Sequence, residues 1–221
     1  MSTTSPRRLQ KRTSKRRRDI LNASLRCFLK HGVEAATIEQ IRDASGASSG
    51  SIYHHFGSKQ AIAVALYVEG MQDLASMLTE AMNRKLLLAD GLHAIIAAYF
   101  HWVEQNRDWA LYLLRVATAD LTPSESEQID EVNRQARESL QNWLGPFIER
   151  GEVARLPEEL YASLVYGAGT HFMRHWLSGR IELDFDVAAR TLADAAYNSL
   201  IAPVGKPSSR KNSKSSETRD V

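Results

Sequence analysis

Cysteine and long apolar stretches are both scarce in this chain. Cys27 is the only cysteine among the 221 residues, which excludes an intrachain disulfide and any multi-cysteine zinc or iron–sulfur site. The longest uninterrupted apolar run covers residues 61–68, whereas a membrane-spanning helix needs about 20 apolar residues. The N-terminus offers no apolar stretch that could act as a secretory signal. We therefore expect no membrane partner and a cytoplasmic location.

Strand patterns are missing too. Apolar and polar residues do not alternate with period two over any useful length, whereas apolar residues often recur with the 3.6-residue spacing of a helix. We therefore predict an all-α protein. Helices are expected at about residues 15–31, 38–44, 49–55, 59–77 and beyond, 90–106, 108–119, 123–150, 157–178 and 184–201.

Acidic residues are absent from the first eighteen positions, which hold eight basic side chains. Residues 1–60 carry 12 Lys or Arg against 4 Asp or Glu, a net charge of +8, and residues 61–221 carry −6. A polyanion is the natural partner of such a basic N-terminal quarter. A solubilising tail without a partner explains the charge equally well.

Two short helices around a glycine turn follow the first helix. Thr37 and Gln40 form the pattern of a capping box, in which each side chain bonds the other residue's backbone amide. Residues 45–47 form the turn, Ser48 can cap the second short helix, and Ser58 can cap the long helix after it. By geometry this layout is a helix-turn-helix with a supporting helix in front of it.

Residues 37–59, TIEQIRDASGASSGSIYHHFGSK, resemble the DNA-reading signature of the tetracycline-repressor (TetR) family of transcription regulators. The matching positions include Thr37, Gly46, Gly50 and Tyr53. Two positions depart from the family pattern. Ser49 stands where many relatives carry lysine, and Ala61 stands where a glutamate often follows the Ser-Lys cap, so operator affinity and base preference stay open.

The resemblance implies that the second short helix binds DNA. Gly50 would let the backbone lie close to the duplex. Small donors at a helix N-terminus suit phosphates and base edges, and Lys59 would clamp a phosphate. The predicted DNA-contacting residues are Thr37, Ser48, Ser49, Gly50, Ser51, Tyr53, His54, His55, Lys59, Arg16, Arg17 and Arg18. Each histidine could equally occupy a solvated position.

The chain is predicted to divide into four parts. Residues 1–14 form a basic, disordered arm that tracks phosphate or the minor groove, although a targeting segment or an inert tail has the same composition. Residues 15–65 form the DNA-binding domain, with the helix-turn-helix motif at 37–56. Residues 66–202 form a helical domain, and residues 203–221 form a basic tail too polar to fold.

All four tryptophans lie in the helical domain. The resemblance implies a pocket there for a small-molecule effector, and aromatic-lined spaces between helices suit an apolar or amphipathic ligand. Ordinary core packing is the alternative for each residue taken alone. The candidate pocket residues are Tyr67, Met71, Phe100, Trp102, Trp109, Tyr112, Trp143, Phe147, Tyr166 and Phe172.

The last two helices are similar to the pair that usually forms the dimer of the family. Two copies would pack as an isologous four-helix interface. Its candidate residues are Leu160, Leu164, Gly167, Ala168, His171, Leu192 and Ala196. A homodimer would present two reading helices to a pseudo-palindromic operator.

His171 and His175 are spaced four residues apart, as metal ligands on one helix face can be. No glutamate follows His171 and no third ligand is in view, so we predict no metal, no cofactor and no enzyme activity. The favoured interpretation is a dimeric regulator that a small-molecule effector releases from its operator. The resemblance favours a repressor over an activator. The alternatives are a helical-bundle enzyme with a histidine-containing site and a nonspecific nucleic-acid-binding protein with basic tails.

Overall fold

A computed structural model describes residues 6–83, 87–116, 123–182 and 184–201. Within these ranges the chain is helical and contains no strand, which confirms the prediction of an all-α fold. The helices are α1 (Pro6–His31), α2 (Ile38–Ser45), α3 (Ser49–Phe56), α4 (Lys59–Asn83), α5 (Leu88–Gln105), α6 (Arg107–Val116), α7 (Pro123–Glu149), α8 (Glu158–Leu177) and α9 (Phe185–Ile201).

Helix α1 starts nine residues earlier than the sequence indicated. It begins at Pro6, so residues 6–14 are helical and their prediction as a disordered arm is wrong. Proline suits the first position of a helix, and the following run of Arg, Lys, Leu and Gln has high helix propensity. The rest of the predicted arm and the predicted tail, residues 203–221, lie outside the described residues.

The first hydrophobic core is built by α1 to α4 and completed from outside the predicted DNA-binding domain. Ile20, Ile41 and Ile52 are almost fully buried in it. Tyr112 of α6 and Val132 of α7 belong to the same cluster. The helix-turn-helix unit therefore depends on two helices of the larger domain for part of its core.

Helix α4 passes through both cores, and the predicted boundary at residue 65 falls inside it. By length and composition it could cross a membrane. However, nine of its residues are buried in the protein. They are spread from Ile62, in the first core, to Met82, in the second. This distribution is that of a core helix joining two parts of a fold.

The second core is the helical bundle of α4 to α9. Helix α5 lies at its centre, against α4, α8 and α9. Its buried residues include Leu92, Ile95 and Trp102, each at most 1% exposed. Helix α7 continues through Pro146 to Glu149.

Helix α6 joins the two cores through a buried tyrosine. The ring of Tyr112 stacks on Phe28 of α1 with 6.3 Å between centroids. Its hydroxyl donates a hydrogen bond of 2.8 Å to the carbonyl oxygen of Ala63 in α4. Burial raises the pKa of this hydroxyl, so it stays protonated and remains a donor throughout the physiological range.

We expect Tyr112→Phe to lower the free energy of unfolding by about 1 kcal/mol, because the buried hydrogen bond to Ala63 is lost while the ring packing remains. Urea denaturation followed by circular dichroism measures the change. Tyr53→Phe is the matched control, since the Tyr53 side chain is exposed. Equal stabilities of the Tyr112 variant and wild type would show that this bond does not hold the cores together.

Candidate nucleic-acid interface and effector cavity

The turn between α2 and α3 is set by caps that the sequence predicted. The amide of Gln40 donates to Thr37 Oγ1 at 3.2 Å, and the amide of Thr37 donates to Gln40 Oε1 at 3.0 Å. Ser48 Oγ accepts from the amide of Ser51 at 3.1 Å. Gly46 ends α2 with a φ of 63°, a left-handed conformation that glycine adopts without strain. These contacts confirm both predicted caps.

Helix α3 buries Ile52 and leaves its other sides open. Tyr53 is 51% exposed, an unusual fraction for a large aromatic ring. His54 is also exposed, and Ser49 and Ser51 are half-buried. The helix therefore presents hydroxyl and imidazole groups outward, while Ile52 and the half-buried Phe56 pack against the first core.

Gly50 has no reason inside the protein to be glycine. Its backbone is helical, and a Cβ built on it meets no atom of the described structure within 4 Å. Glycine in a helix costs up to about 1 kcal/mol relative to alanine. A partner that approaches the backbone of α3 closely would explain this choice.

His55 is held neutral beside its neighbours. Partial burial, the adjacent His54 and the guanidinium groups of Arg17 and Arg16 lower its pKa. At pH 7 its ring therefore offers one donor nitrogen and one acceptor nitrogen.

Two of the three candidate arginines make contacts within the fold. Arg16 Nη1 donates to the carbonyl oxygen of Gly46 at 3.3 Å. Arg17 pairs with Glu69 of α4, and its guanidinium lies 5.1 Å from the centroid of the Phe56 ring. Arg18 is exposed. The basic cluster thus both orients the helix-turn-helix and places positive charge beside it.

The ammonium group of Lys59 is engaged within the protein. Its Nζ donates to the carbonyl oxygens of Glu34 at 2.6 Å and Ala36 at 3.0 Å. These bonds hold the loop between α1 and α2 against the start of α4. An ammonium has three donors, so one remains for another acceptor. The structure shows that Lys59 stabilises the fold. Its role as a phosphate clamp stays a prediction.

A cavity of about 370 Å³ lies in the second domain, among α4, α5, α6, α7 and α8. Its volume is at the lower end of the range of small-molecule pockets, about 300–1,000 Å³. Four of the ten residues predicted from the sequence line it: Tyr67, Met71, Trp102 and Tyr166. Trp102 is held in the wall because its Nε1 donates to Asp73 Oδ2 at 2.8 Å.

Few polar groups interrupt the apolar wall. Tyr67 donates through its hydroxyl to Asn133 Oδ1 at 3.0 Å, and Tyr99 donates to Thr170 Oγ1 at 3.4 Å. Among the described residues, no hydrogen-bond partner is recorded for the hydroxyl of Tyr166, and burial raises its pKa. Arg137 of α7 lines the cavity while remaining exposed to solvent. Asn133, Arg137 and Thr170 also line the cavity and could not be predicted from the sequence, because polar residues on an amphipathic helix carry no signal of a pocket.

The other six predicted pocket residues do not line this cavity, because they pack against neighbouring side chains elsewhere. Phe100 and Phe172 stack on each other at 5.5 Å between ring centroids. Tyr112 belongs to the first core. Trp109 packs beside Gly70, and Trp143 packs beside Gly91. Phe147 contacts the ring of Trp143.

Helix α8 carries an exposed face that matches part of the predicted dimer interface. Leu160, Gly167, Ala168 and His171 are exposed on it, and Leu164 is half-buried. A Cβ at Gly167 would meet no described atom within 4 Å. This face is therefore smooth and partly apolar.

Helix α9 corrects one predicted interface residue. Ala196 is 3% exposed and belongs to the core of its own protomer, because α9 packs on α5. Its place at the interface is wrong. Leu192 is half-buried and packs against the same core.

The histidine pair on α8 is not part of a larger ligand cluster. The rings of His171 and His175 lie 4.7 Å apart. Within the part of the chain that the structure describes, no three His, Cys, Asp or Glu side chains are placed to hold a metal ion.

The model of the family "Bacterial regulatory proteins, tetR family" matches residues 20–66. These residues span the C-terminal part of α1, the helix-turn-helix and the start of α4. The N-terminal part of the chain therefore resembles the TetR family. The resemblance found in the sequence at residues 37–59 is thereby confirmed.

Curated proteins that are similar to this chain are named transcriptional repressors. The chain is 41% identical over 64 residues to AcnR of Corynebacterium glutamicum, an alignment covering 29% of this chain and 34% of AcnR. It is 27% identical over 133 residues to KstR2 of Rhodococcus jostii, covering 60% of this chain and 63% of KstR2. The match to AcnR thus spans about a third of that relative's length.

Solved structures of TetR regulators share the whole fold. FadR of Bacillus subtilis, crystallised with stearoyl-CoA, has a TM-score of 0.73 at 17% identity, covering 82% of this chain and 98% of FadR. PfmR of Thermus thermophilus has a TM-score of 0.67 at 21% identity, covering 81% of this chain and 97% of PfmR. The similarity extends beyond the helix-turn-helix and includes the helical domain.

We expect Lys59→Met to lower the free energy of unfolding by about 1 kcal/mol, because two hydrogen bonds from a charged donor to Glu34 and Ala36 are lost. Thermal unfolding followed by circular dichroism measures the change. Lys15→Met, at an exposed position of α1, is the control. If both variants melt like wild type, the fastening role of Lys59 is refuted.

Proposed function

We propose that this protein is a sequence-specific DNA-binding transcriptional regulator. It acts as a repressor, binds its operator as a homodimer and leaves it when a small-molecule effector binds. It works in the cytoplasm and needs no cofactor. The observation that carries the proposal is the surface of α3, where the Tyr53 side chain is exposed and no described neighbour requires a glycine at position 50.

Helix α3 has the features that a major-groove helix needs. It is short and exposed, and it is held by a core that includes Ile52. Its N-terminal serines and Tyr53 supply hydroxyl donors for phosphates and base edges. Arg16, in the middle of α1, bonds the carbonyl oxygen of Gly46 in the turn before α3 and adds positive charge there, which favours the phosphate backbone.

A twofold dimer would place two such helices on one duplex. The exposed face of α8 supports this arrangement, because Gly167 and Ala168 let two helices approach closely and Leu160 adds apolar area. An isologous interface needs one self-complementary patch, and this face provides a small apolar one.

The cavity supports regulation by an effector. FadR of Bacillus subtilis was crystallised with stearoyl-CoA, so a protein of the same fold binds a small molecule. In this chain α6 contacts both the cavity and the DNA-binding domain. Ala110 and Leu113 line the cavity, whereas Tyr112 contacts α1 and α4. A ligand that binds one position of α6 more tightly than another would shift the DNA-binding domain.

We expect Gly50→Ala to separate stability from DNA binding. The variant should unfold at a higher urea concentration, because the added Cβ meets open space and alanine favours the helix. It should bind duplexes selected by wild type from a random pool at least about tenfold more weakly, because the methyl group holds the helix away from the DNA. Electrophoretic mobility shifts measure the affinity.

The control for this comparison is Ser76→Ala on the exposed side of α4. It should raise stability without changing affinity for the duplex. Recovery of no preferred sequence by wild type would overturn the proposed function. An unchanged affinity of Gly50→Ala would remove α3 from the interface.

We expect the double variant Gly167→Glu/Ala168→Glu to be a folded monomer. Both positions are exposed in the protomer, so the fold should persist while four like charges meet at the twofold axis. Light scattering after gel filtration measures the mass. Ser76→Glu should remain dimeric, and a dimeric double variant would place the interface elsewhere.

A further inference from the structure

We propose that the ligand of the cavity is an amphipathic carboxylic acid, with its apolar body inside the cavity and its carboxylate at Arg137. This inference rests on the proposed function, because it concerns the effector of that regulator. It adds the chemical class of the ligand and names the residue that selects it.

The wall of the cavity determines the nature of the ligand's body. Most lining side chains are aliphatic or aromatic, among them Leu74, Leu78, Met82 and Val103. Polar atoms enclosed by such a wall lose hydration without gaining a partner, which costs free energy. The enclosed part of the ligand is therefore apolar.

Charge is confined to one point of the lining. Arg137 is the single charged residue among the described residues that surround the cavity. Its side chain lines the space and is also exposed to solvent, which places it at the rim. The guanidinium can grip a carboxylate with two parallel hydrogen bonds, while water still reaches the pair.

The surroundings leave Arg137 available for a ligand. Within the described ranges the structure records no ion pair for it, whereas Arg134, one turn earlier on α7, pairs with Glu131 and Glu138. No carboxylate of the protein lines the cavity in those ranges. An anionic ligand would supply the missing partner, and a cationic ligand would be repelled.

The polar groups deeper in the wall are neutral. Thr170 accepts from Tyr99, and Asn133 accepts from Tyr67. The Tyr166 hydroxyl is protonated at neutral pH because burial raises its pKa. A neutral donor of this kind binds a carbonyl or hydroxyl oxygen as well as a carboxylate. Tyr166 alone therefore does not select for charge.

The test compares ligands that share a body and differ in the head. Isothermal titration calorimetry on the full chain would use decanoate, decanol and decylamine, with 2-naphthylacetate and 2-(2-naphthyl)ethanol as a second, aromatic pair. Wild type should bind each acid about tenfold or more tighter than its alcohol, and the amine more weakly still. The acids should also release the selected duplex.

Variants locate the preference. Arg137→Gln should bind acid and alcohol equally while keeping the affinity for the alcohol. Arg134→Gln, on the same helix but outside the lining, should retain the wild-type preference. Tyr166→Phe should retain it as well. Loss of the preference in Tyr166→Phe and its retention in Arg137→Gln would overturn the assignment of the carboxylate to Arg137.

The outcomes separate this inference from the proposed function. Equal binding of acid and alcohol by wild type, with release of the duplex by both, would overturn the carboxylate proposal and leave the effector site standing. Failure of all five compounds to bind would overturn both the ligand class and the cavity as an effector site of this chemistry. Sequence-specific DNA binding has its own test in the selected duplexes.

Discussion

The continuity of α4 is the constraint on which the rest of the structure depends. One hydrogen-bonded helix of 25 residues buries its first turns in the core of the helix-turn-helix and its last turns in the helical bundle. A continuous helix resists bending because each turn is bonded to the next. Any change in the bundle that displaces α4 therefore also displaces the first core, to which α3 is attached through Ile52.

Tyr112 makes this coupling tight by fixing a second helix to the first core. The tyrosine is buried between α1 and α4, and its hydroxyl donates a hydrogen bond to the carbonyl oxygen of Ala63. On the neighbouring positions of α6, Ala110 and Leu113 face the cavity. A short helix with the cavity on one side and the predicted DNA-binding domain on the other can bias two arrangements of the fold, as the proposed regulation requires.

Some positively charged side chains of the N-terminal domain make contacts within the fold, and others remain exposed to solvent. The contacts of Arg17 with Glu69 and Phe56, and of Lys59 with the carbonyls of Glu34 and Ala36, orient the helices. Arg18 stays exposed. Net charge counted along the sequence therefore overstates the charge available to a duplex, because part of it is neutralised or bound within the fold. The surface of α3 itself carries serine and tyrosine hydroxyl groups and no Lys or Arg side chain.

The helical class, the helix-turn-helix and its caps were predictable from the order of residues alone. These features depend on neighbours in the chain, as the bonds of Thr37 with Gln40 and of Ser48 with Ser51 illustrate. The packing of the helices determines which aromatic residues surround the cavity, because Phe100 and Tyr166 have the same local pattern and differ in what packs beside them. The same holds for Ala196, which helical spacing placed on an interface and packing against α5 placed in the core. Local hydrogen bonds depend on residues that are close in the sequence. Whether an apolar helix face packs in the core, lines the cavity or stays exposed depends on distant helices that no short segment specifies.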